Sequence, residues 1–256
     1  MGKIRILMLG GTGEARALAE ALEGTGRYET LLSLAGRTEK PSDQPVPLRI
    51  GGFGGAEGLA AFLRDGGFDL LIDATHPFAA RISRSASEAA AATGIPAFAL
   101  RRPEWMAEPG DRWTPVATIA EAIERLGPSP RRVFLAIGRQ EAHRAEAAPQ
   151  HSYLVRSVDP VDPPLVLPDV QLVLDRGPYD VASEVSLLRT HRIDALVTKN
   201  SGGSATYAKI QAARQLGIDV FMVARAPAAT METVATVEAM LAAVDHLFPP
   251  AMNRGV

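Results

Sequence analysis

Lys3-Ile4-Arg5-Ile6-Leu7-Met8-Leu9-Gly10-Gly11-Thr12-Gly13-Glu14-Ala15-Arg16 decides how the rest of the chain is read. A short aliphatic run breaks into a glycine turn, and an alanine-rich helical pattern starts at once. Strand, glycine turn and helix is how an α/β domain presents backbone N–H groups and a helix N-terminus to a phosphate. Glycine lets the main chain turn sharply and come close to a ligand, because no Cβ intervenes. Gly11 and Gly13 match the first two glycines of the G-x-G-x-x-G fingerprint, and Arg16 stands where the third belongs. On this stretch alone, a dinucleotide-binding turn and an ordinary tight βα turn carry equal weight.

Outward from that turn, Leu18, Ala19 and Leu22 are spaced to face a sheet, and Tyr28 to Ala35 reads as a second strand. It ends in Gly36-Arg37-Thr38. At this place an acidic residue favours NAD, whereas an arginine accommodates the 2′-phosphate of NADP. Arg37 tilts the reading toward NADP, with a solvated turn arginine as the bland alternative. The polar, proline-bearing segment 39–47 is a loop, and Gly51-Gly52-Phe53-Gly54-Gly55 is a second ligand-approach loop or a flexible connector. Strand Phe68 to Ala74 runs into Asp73-Ala74-Thr75-His76-Pro77-Phe78-Ala79 at its carboxyl end, where open α/β sheets bind ligands. A helix from Phe78 to Ala92 and strand Ala97 to Leu100 complete one parallel-sheet unit.

From Arg101 to Pro115 the chain reads as a crossover. A second series of strands and helices then follows, each strand ending in a polar or glycine-marked loop: Gly138-Arg139-Gln140, Val158-Asp159-Pro160, Arg176-Gly177-Pro178-Tyr179 and Lys199-Asn200-Ser201-Gly202-Gly203. The last helix is expected over Met231 to Leu247. The expected architecture is α/β: two tandem Rossmann-like parallel-sheet domains, residues 1–100 and 101–256, with a cleft between them for a cofactor and a large substrate.

The 256 residues allow a sizeable core, and a net charge of −2 argues against a duplex nucleic-acid binder. No cysteine is present, which excludes disulfides, thiolate nucleophiles and cysteine-ligated metals. No apolar run is long enough to span a bilayer and no signal region opens the chain, so a cytoplasmic protein is expected. There is no G-x-S-x-G elbow, no Walker lysine after the first turn and no H-E-x-x-H helix. His76, His143, His151, His191 and His246 show no paired metal-ligand spacing, so no metal site is expected. Three classes fit the residues: an NADP-dependent reductase, a non-catalytic nucleotide sensor, and a two-lobed ligand binder.

The loop motifs taken together, GGTGEAR (10–16), GGFGG (51–55), DATHPFA (73–79), IGRQ (137–140), SVDP (157–160), RGPY (176–179) and KNSGG (199–203), resemble the precorrin-6A reductase family of cobalamin biosynthesis. A cobalt-precorrin-6A reductase branch shares that scaffold. The resemblance implies an enzyme that takes a hydride from NADPH and reduces the precorrin-6A macrocycle to precorrin-6B, with hydride to C19 and a proton to C18. It implies a two-domain Rossmann-like fold and, as further partners, hand-over contacts with neighbouring pathway enzymes.

The expected cofactor site is Gly10, Gly11, Thr12, Gly13, Glu14, Gly36, Arg37, Thr38, Ala74, Thr75 and His76. The macrocycle carries acetate and propionate groups, so its site should offer cations and backbone donors. Arg139, Arg176, Tyr179, Lys199, Asn200, Ser201 and Gly202 are the expected contacts. The expected catalytic set is His76, Asp159 and Lys199. Asp159, Asp175, Tyr179, His76, water and the substrate's own acidity remain alternative proton sources.

Overall fold

The computed structural model describes residues 3–36, 43–227 and 230–249. In chain order, β1 (Ile4–Leu9), α1 (Gly13–Gly24), β2 (Tyr28–Leu34), β3 (Leu48–Ile50), α2 (Ala56–Asp65), β4 (Leu70–Asp73), α3 (Ala80–Thr93) and β5 (Ala97–Leu100) come first. Then follow β6 (Trp113–Val116), α4 (Ile119–Arg125), β7 (Arg132–Ala136), a 3₁₀ helix (Arg139–Ala147), β8 (Ser152–Ser157), β9 (Val170–Leu174), α5 (Val181–Thr190), β10 (Ala195–Lys199), α6 (Ala208–Leu216) and β11 (Asp219–Val223). The chain closes with β12 (Glu232–Val234) and α7 (Val237–Leu247).

These elements form two compact units, Met1–Arg102 with Ala226–Val256, and Pro103–Arg225. The first unit holds a six-stranded parallel sheet in the order β12-β5-β4-β1-β2-β3, and the second one in the order β6-β11-β10-β7-β8-β9. In each, the order reverses beside the central strand, between β1 and β4 and between β7 and β10. Such a reversal opens the crevice in which doubly wound sheets take ligands.

Burial explains why β1 is central. Successive side chains on a strand face opposite sides, and a parallel sheet with helices on both faces needs apolar residues on each. Ile6 and Met8 pack with Leu18 and Leu22 of α1 and with Met240 and Val244 of α7. Leu7 and Leu9 pack on the other face with Leu59 and Leu63 of α2 and Ala86 and Ala89 of α3. Each such leucine or isoleucine contributes about 1.5–3 kcal/mol on burial. In the second unit, Phe134, Leu154, Leu196, Val220 and Met222 pack with Leu188, Ile210 and Ala213 from α5 and α6.

Three sequence expectations are corrected. The stretch from Ala226 belongs to the first unit and not to a domain of residues 101–256: β12 pairs with β5, and Met240 and Val244 fill the core on the α1 face. Part of the helix expected from Met231 is β12 instead, and α7 starts only after Thr236, whose hydroxyl accepts from the Ala239 N–H at 3.1 Å. The crossover expected over 101–115 also ends in a strand, β6, which pairs with β11.

Candidate functional site

The crevice of the first unit is built by the loops after β1 and β4. Gly11 has φ +111°, a conformation that side chains rarely adopt, and it starts the turn into α1. Thr12 caps α1: its hydroxyl accepts from the Ala15 N–H at 3.1 Å and donates to the Ala74 carbonyl at 2.9 Å. One hydroxyl thus joins the two loops. Gly10 has a packing role, since a Cβ there would stand 2.5 Å from Leu32 Cδ1 and 3.3 Å from the Ala15 Cβ. At Gly13 a Cβ would meet nothing within 4 Å, so the space over the first turn of α1 is open. An open helix N-terminus behind a glycine turn fits a dinucleotide pyrophosphate.

Glu14 brings a carboxylate to that turn, and Arg102 Nη1 pairs with it at 2.7 Å. The loop after β4 is fixed from below. Asp73 is fully buried and its Oδ1 accepts from the Thr75 N–H at 3.0 Å and the Thr75 hydroxyl at 2.6 Å. Arg101 pairs with the Asp73 carboxylate and donates to the carbonyls of Asp73 at 2.9 Å and Thr75 at 3.1 Å. His76 Nδ1 accepts from the Phe78 N–H at 3.2 Å, so a neutral ring carries its proton on Nε2. Gly36, two residues past the end of β2, has φ +72°, while Arg37 and Thr38 lie outside the described residues. The GGFGG loop is held by Arg49, which donates to the Gly51 and Gly52 carbonyls at 2.6 and 2.8 Å and lies 4.0 Å from the Phe53 ring centroid.

The crevice of the second unit lies at the ends of β7 and β10. Arg139 opens the 3₁₀ helix after β7 and reaches the turn after β8: Nη2 is 3.8 Å from Asp159 Oδ2, and Nη1 donates to the Pro160 carbonyl at 3.4 Å. Lys199 ends β10, half-buried. Asn200 is turned inward: its Oδ1 accepts from the Trp105 N–H at 2.8 Å and its Nδ2 donates to the Trp105 carbonyl at 3.0 Å. Trp105 Nε1 donates to the Gly203 carbonyl at 2.7 Å, and Arg225 donates to the carbonyls of Asn200 and Ser201, both at 2.9 Å. Gly202 has φ +66°, and a Cβ there would stand 2.0 Å from the Pro103 carbonyl oxygen. The KNSGG loop is therefore a rigid frame around Trp105.

Arg176 and Tyr179 follow β9. Arg176 is exposed, and its N–H donates to Asp175 Oδ1 at 2.8 Å. The Tyr179 ring stacks on Arg156, 3.7 Å from its guanidinium carbon, and Arg156 forms a buried ion pair with Glu184. Burial pushes the Tyr179 phenol up from its ordinary value, against the opposing pull of Arg156. Its hydroxyl donates to the Asp175 carbonyl at 3.2 Å.

Within the first unit, the structure brings Gly10 to Glu14 together with Ala74 and Thr75, and His76 follows in the same loop. Within the second it joins Arg139 to Asp159 and sets Lys199 beside the frame of Asn200 to Gly203. Asn200 holds Trp105 rather than presenting its amide as a ligand donor. Four residues that organise these loops were missed in the sequence: Arg101, Arg102, Trp105 and Arg225. The signal that singled out Lys199, a cation at a strand's carboxyl end, also marks Arg101 after β5 and Arg225 after β11. Among the described residues, no helix is long and apolar enough to cross a membrane, and no group of three or more His, Asp or Glu could hold a metal ion.

Comparison with known proteins agrees with the two-sheet α/β fold. The profile of the family described as "Precorrin-6x reductase CbiJ/CobK" matches residues 5–245. A precorrin-6A reductase from Sinorhizobium sp is 59% identical over 251 residues, spanning 98% of this chain and 96% of the relative. One from Rhodobacter capsulatus is 47% identical over 253 residues, spanning 98% and 99%. A cobalt-precorrin-6A reductase from Priestia megaterium is 29% identical over 232 residues, spanning 86% and 90%. The solved structure "CobK precorrin-6A reductase" superposes with a TM-score of 0.92 at 46% identity, covering 99% of this chain and all of the other. With residues 5–245 matched by the family profile and 99% of the chain covered by the solved structure, this chain is a member of the precorrin-6x reductase CbiJ/CobK family.

Proposed function

We propose that this protein reduces precorrin-6A to precorrin-6B in cobalamin biosynthesis, with NADPH as its reductant. The observation that carries the reading is the Thr12 hydroxyl, which caps α1 and ties the glycine turn to the loop after β4. That is where doubly wound sheets take a dinucleotide, and the chain's relatives are named precorrin-6A reductases. Identities of 59% and 47% to those relatives, against 29% to the cobalt-named one, favour the metal-free macrocycle.

The cofactor's chemistry is a hydride for C19 of the macrocycle, with a proton delivered to C18. The protein's part is to orient and to neutralise charge, since such a transfer needs no covalent catalyst. Gly11, Thr12, Gly13 and the first turn of α1 hold the pyrophosphate, and Ala74, Thr75 and His76 line the crevice beside it. Arg37 and Thr38 take the 2′-phosphate. His76 donates from Nε2 to the nicotinamide carboxamide or the macrocycle edge. Arg139, Arg176 and Lys199 bind the acetate and propionate carboxylates, with the Ser201 side chain and the Gly202 N–H beside Lys199. Asp159, whose carboxylate lies 3.8 Å from Arg139 Nη2, takes the acid–base role.

The test is to mix the protein with precorrin-6A and NADPH and to follow loss of reduced nicotinamide, with NADH in parallel. Turnover with NADPH well above that with NADH is expected. No consumption of either would leave a dinucleotide sensor, and equal use of both would overturn the role given to Arg37.

A further inference from the structure

The five residues Arg101-Arg102-Pro103-Glu104-Trp105 join the two units, and each of them is tied to a loop of one of the two crevices. On the first side, Arg101 clamps Asp73 and Thr75 in the loop after β4, and Arg102 pairs with Glu14 in the glycine turn. On the second side, Trp105 is bonded through N–H, carbonyl and indole to Asn200 and Gly203 of the KNSGG loop. Pro103 and Glu104 are held by the same frame: the Pro103 carbonyl accepts from Arg225 at 3.4 Å, and Glu104 Oε2 accepts from Asn200 Nδ2 at 3.4 Å. The first two of these five consecutive residues are thus bonded to crevice loops of the first unit, and the last three to the frame of the second.

We infer that this segment is a positioning strap: cofactor binding at the glycine turn is transmitted through Glu14, Arg102 and Trp105 to the KNSGG loop. The physical cause is the charge at the head of α1. A pyrophosphate arriving at that N-terminus meets the Glu14 carboxylate, and Arg102 is the cation that neutralises it. Binding therefore tightens or redirects the Arg102 guanidinium, and the displacement reaches Trp105 three residues later through a proline-stiffened chain. The KNSGG loop follows, because Gly202 sits against the Pro103 carbonyl with no room for a Cβ. Arg102 acts through Glu14 and is a positioning residue; it does not need to touch the substrate. The inference rests on the cofactor reading above, and its test separates the two.

Trp105 and Trp113 are the chain's two tryptophans. The Trp113 indole N–H is buried without a hydrogen-bond partner, so Trp113→Phe loses no such bond and leaves Trp105 as sole reporter. The experiment is fluorine NMR of the full-length Trp113→Phe protein carrying fluorotryptophan, titrated with NADP⁺, beside calorimetry of the same samples. NADP⁺ should bind and should shift the Trp105 resonance. With Arg102→Ala, binding should weaken by roughly tenfold, the effect of one uncompensated charge beside a phosphate, and at saturation most of the shift should be lost. Arg102→Lys should restore part of it. A Trp105 resonance that stays still on saturation, or shifts equally in Arg102→Ala, overturns the strap while leaving the cofactor site in place. Absence of any NADP⁺ binding overturns the cofactor reading, and the strap falls with it.

Discussion

Lys199 and Asn200 are neighbours in sequence with opposite tasks. Asn200 satisfies both main-chain groups of the buried Trp105, so Asn200→Ala orphans a donor and an acceptor. Leaving such groups unpaired costs about 1–3 kcal/mol each, and the unfolding midpoint in urea should fall accordingly. Lys199 ends β10 half-buried, and Lys199→Ala should change stability by less than about 0.5–1 kcal/mol. Its effect should fall on the macrocycle: KM raised by one to two orders of magnitude, as for a lost charge-assisted contact of about 1.5–3 kcal/mol. Steady-state kinetics and denaturation of the pair check this, and a Lys199→Ala enzyme with unchanged KM would remove Lys199 from the substrate site.

At the scale of elements, α1 and α4 start alike. Thr12 accepts from Ala15 N–H, and Thr118 accepts from Glu121 N–H at 3.0 Å. Both Thr→Ala variants should lose about 1 kcal/mol, the usual worth of an N-cap. Only Thr12→Ala should also weaken NADP⁺ binding in a calorimetric titration, because only Thr12 ties its helix to the loop after β4. Equal affinities in the two variants would detach the cofactor from α1. The central elements were legible in the sequence because β1, β4, β7 and β10 are apolar on both faces, and a run of that kind reads as a buried parallel strand. Two of the outer strands, β6 and β12, were not. β6 contains Pro115, and β12 has three residues, two of them exposed, so neither carries a local pattern; each is a strand only because a distant edge accepts it. The crevice glycines were legible for the same local reason as β1. Arg101 was not, because its partner Asp73 lies 28 residues away and only the pairing of β4 with β5 brings them together.

The whole molecule carries a pH dependence that can be assigned to named groups. His151, almost fully buried, accepts the Arg131 N–H on Nδ1 at 3.1 Å and must be neutral to do so. Burial first, and then the charge of Arg131, hold its pKa below the usual histidine value. An unfolded chain therefore takes up the proton first as the pH falls through about 6.5. Stability is full above that value and drains toward the depressed folded value, with a slope of at most about 1.4 kcal/mol per pH unit. Asp245, held low by the Tyr28 hydroxyl and by Arg27, adds a further loss only where ordinary carboxylates protonate. Urea midpoints between about pH 7 and pH 5 should fall for the native protein and flatten for His151→Gln, which separates the two groups. The central claim is a hydride passed from NADPH to C19 of precorrin-6A, and the most direct measurement is its isotopic trace. The enzyme is given NADPH dideuterated at the nicotinamide C4 in ordinary water, and the product is read by NMR. Deuterium at C19 and protium at C18 is the expected result; a product with no deuterium at C19 would contradict the account.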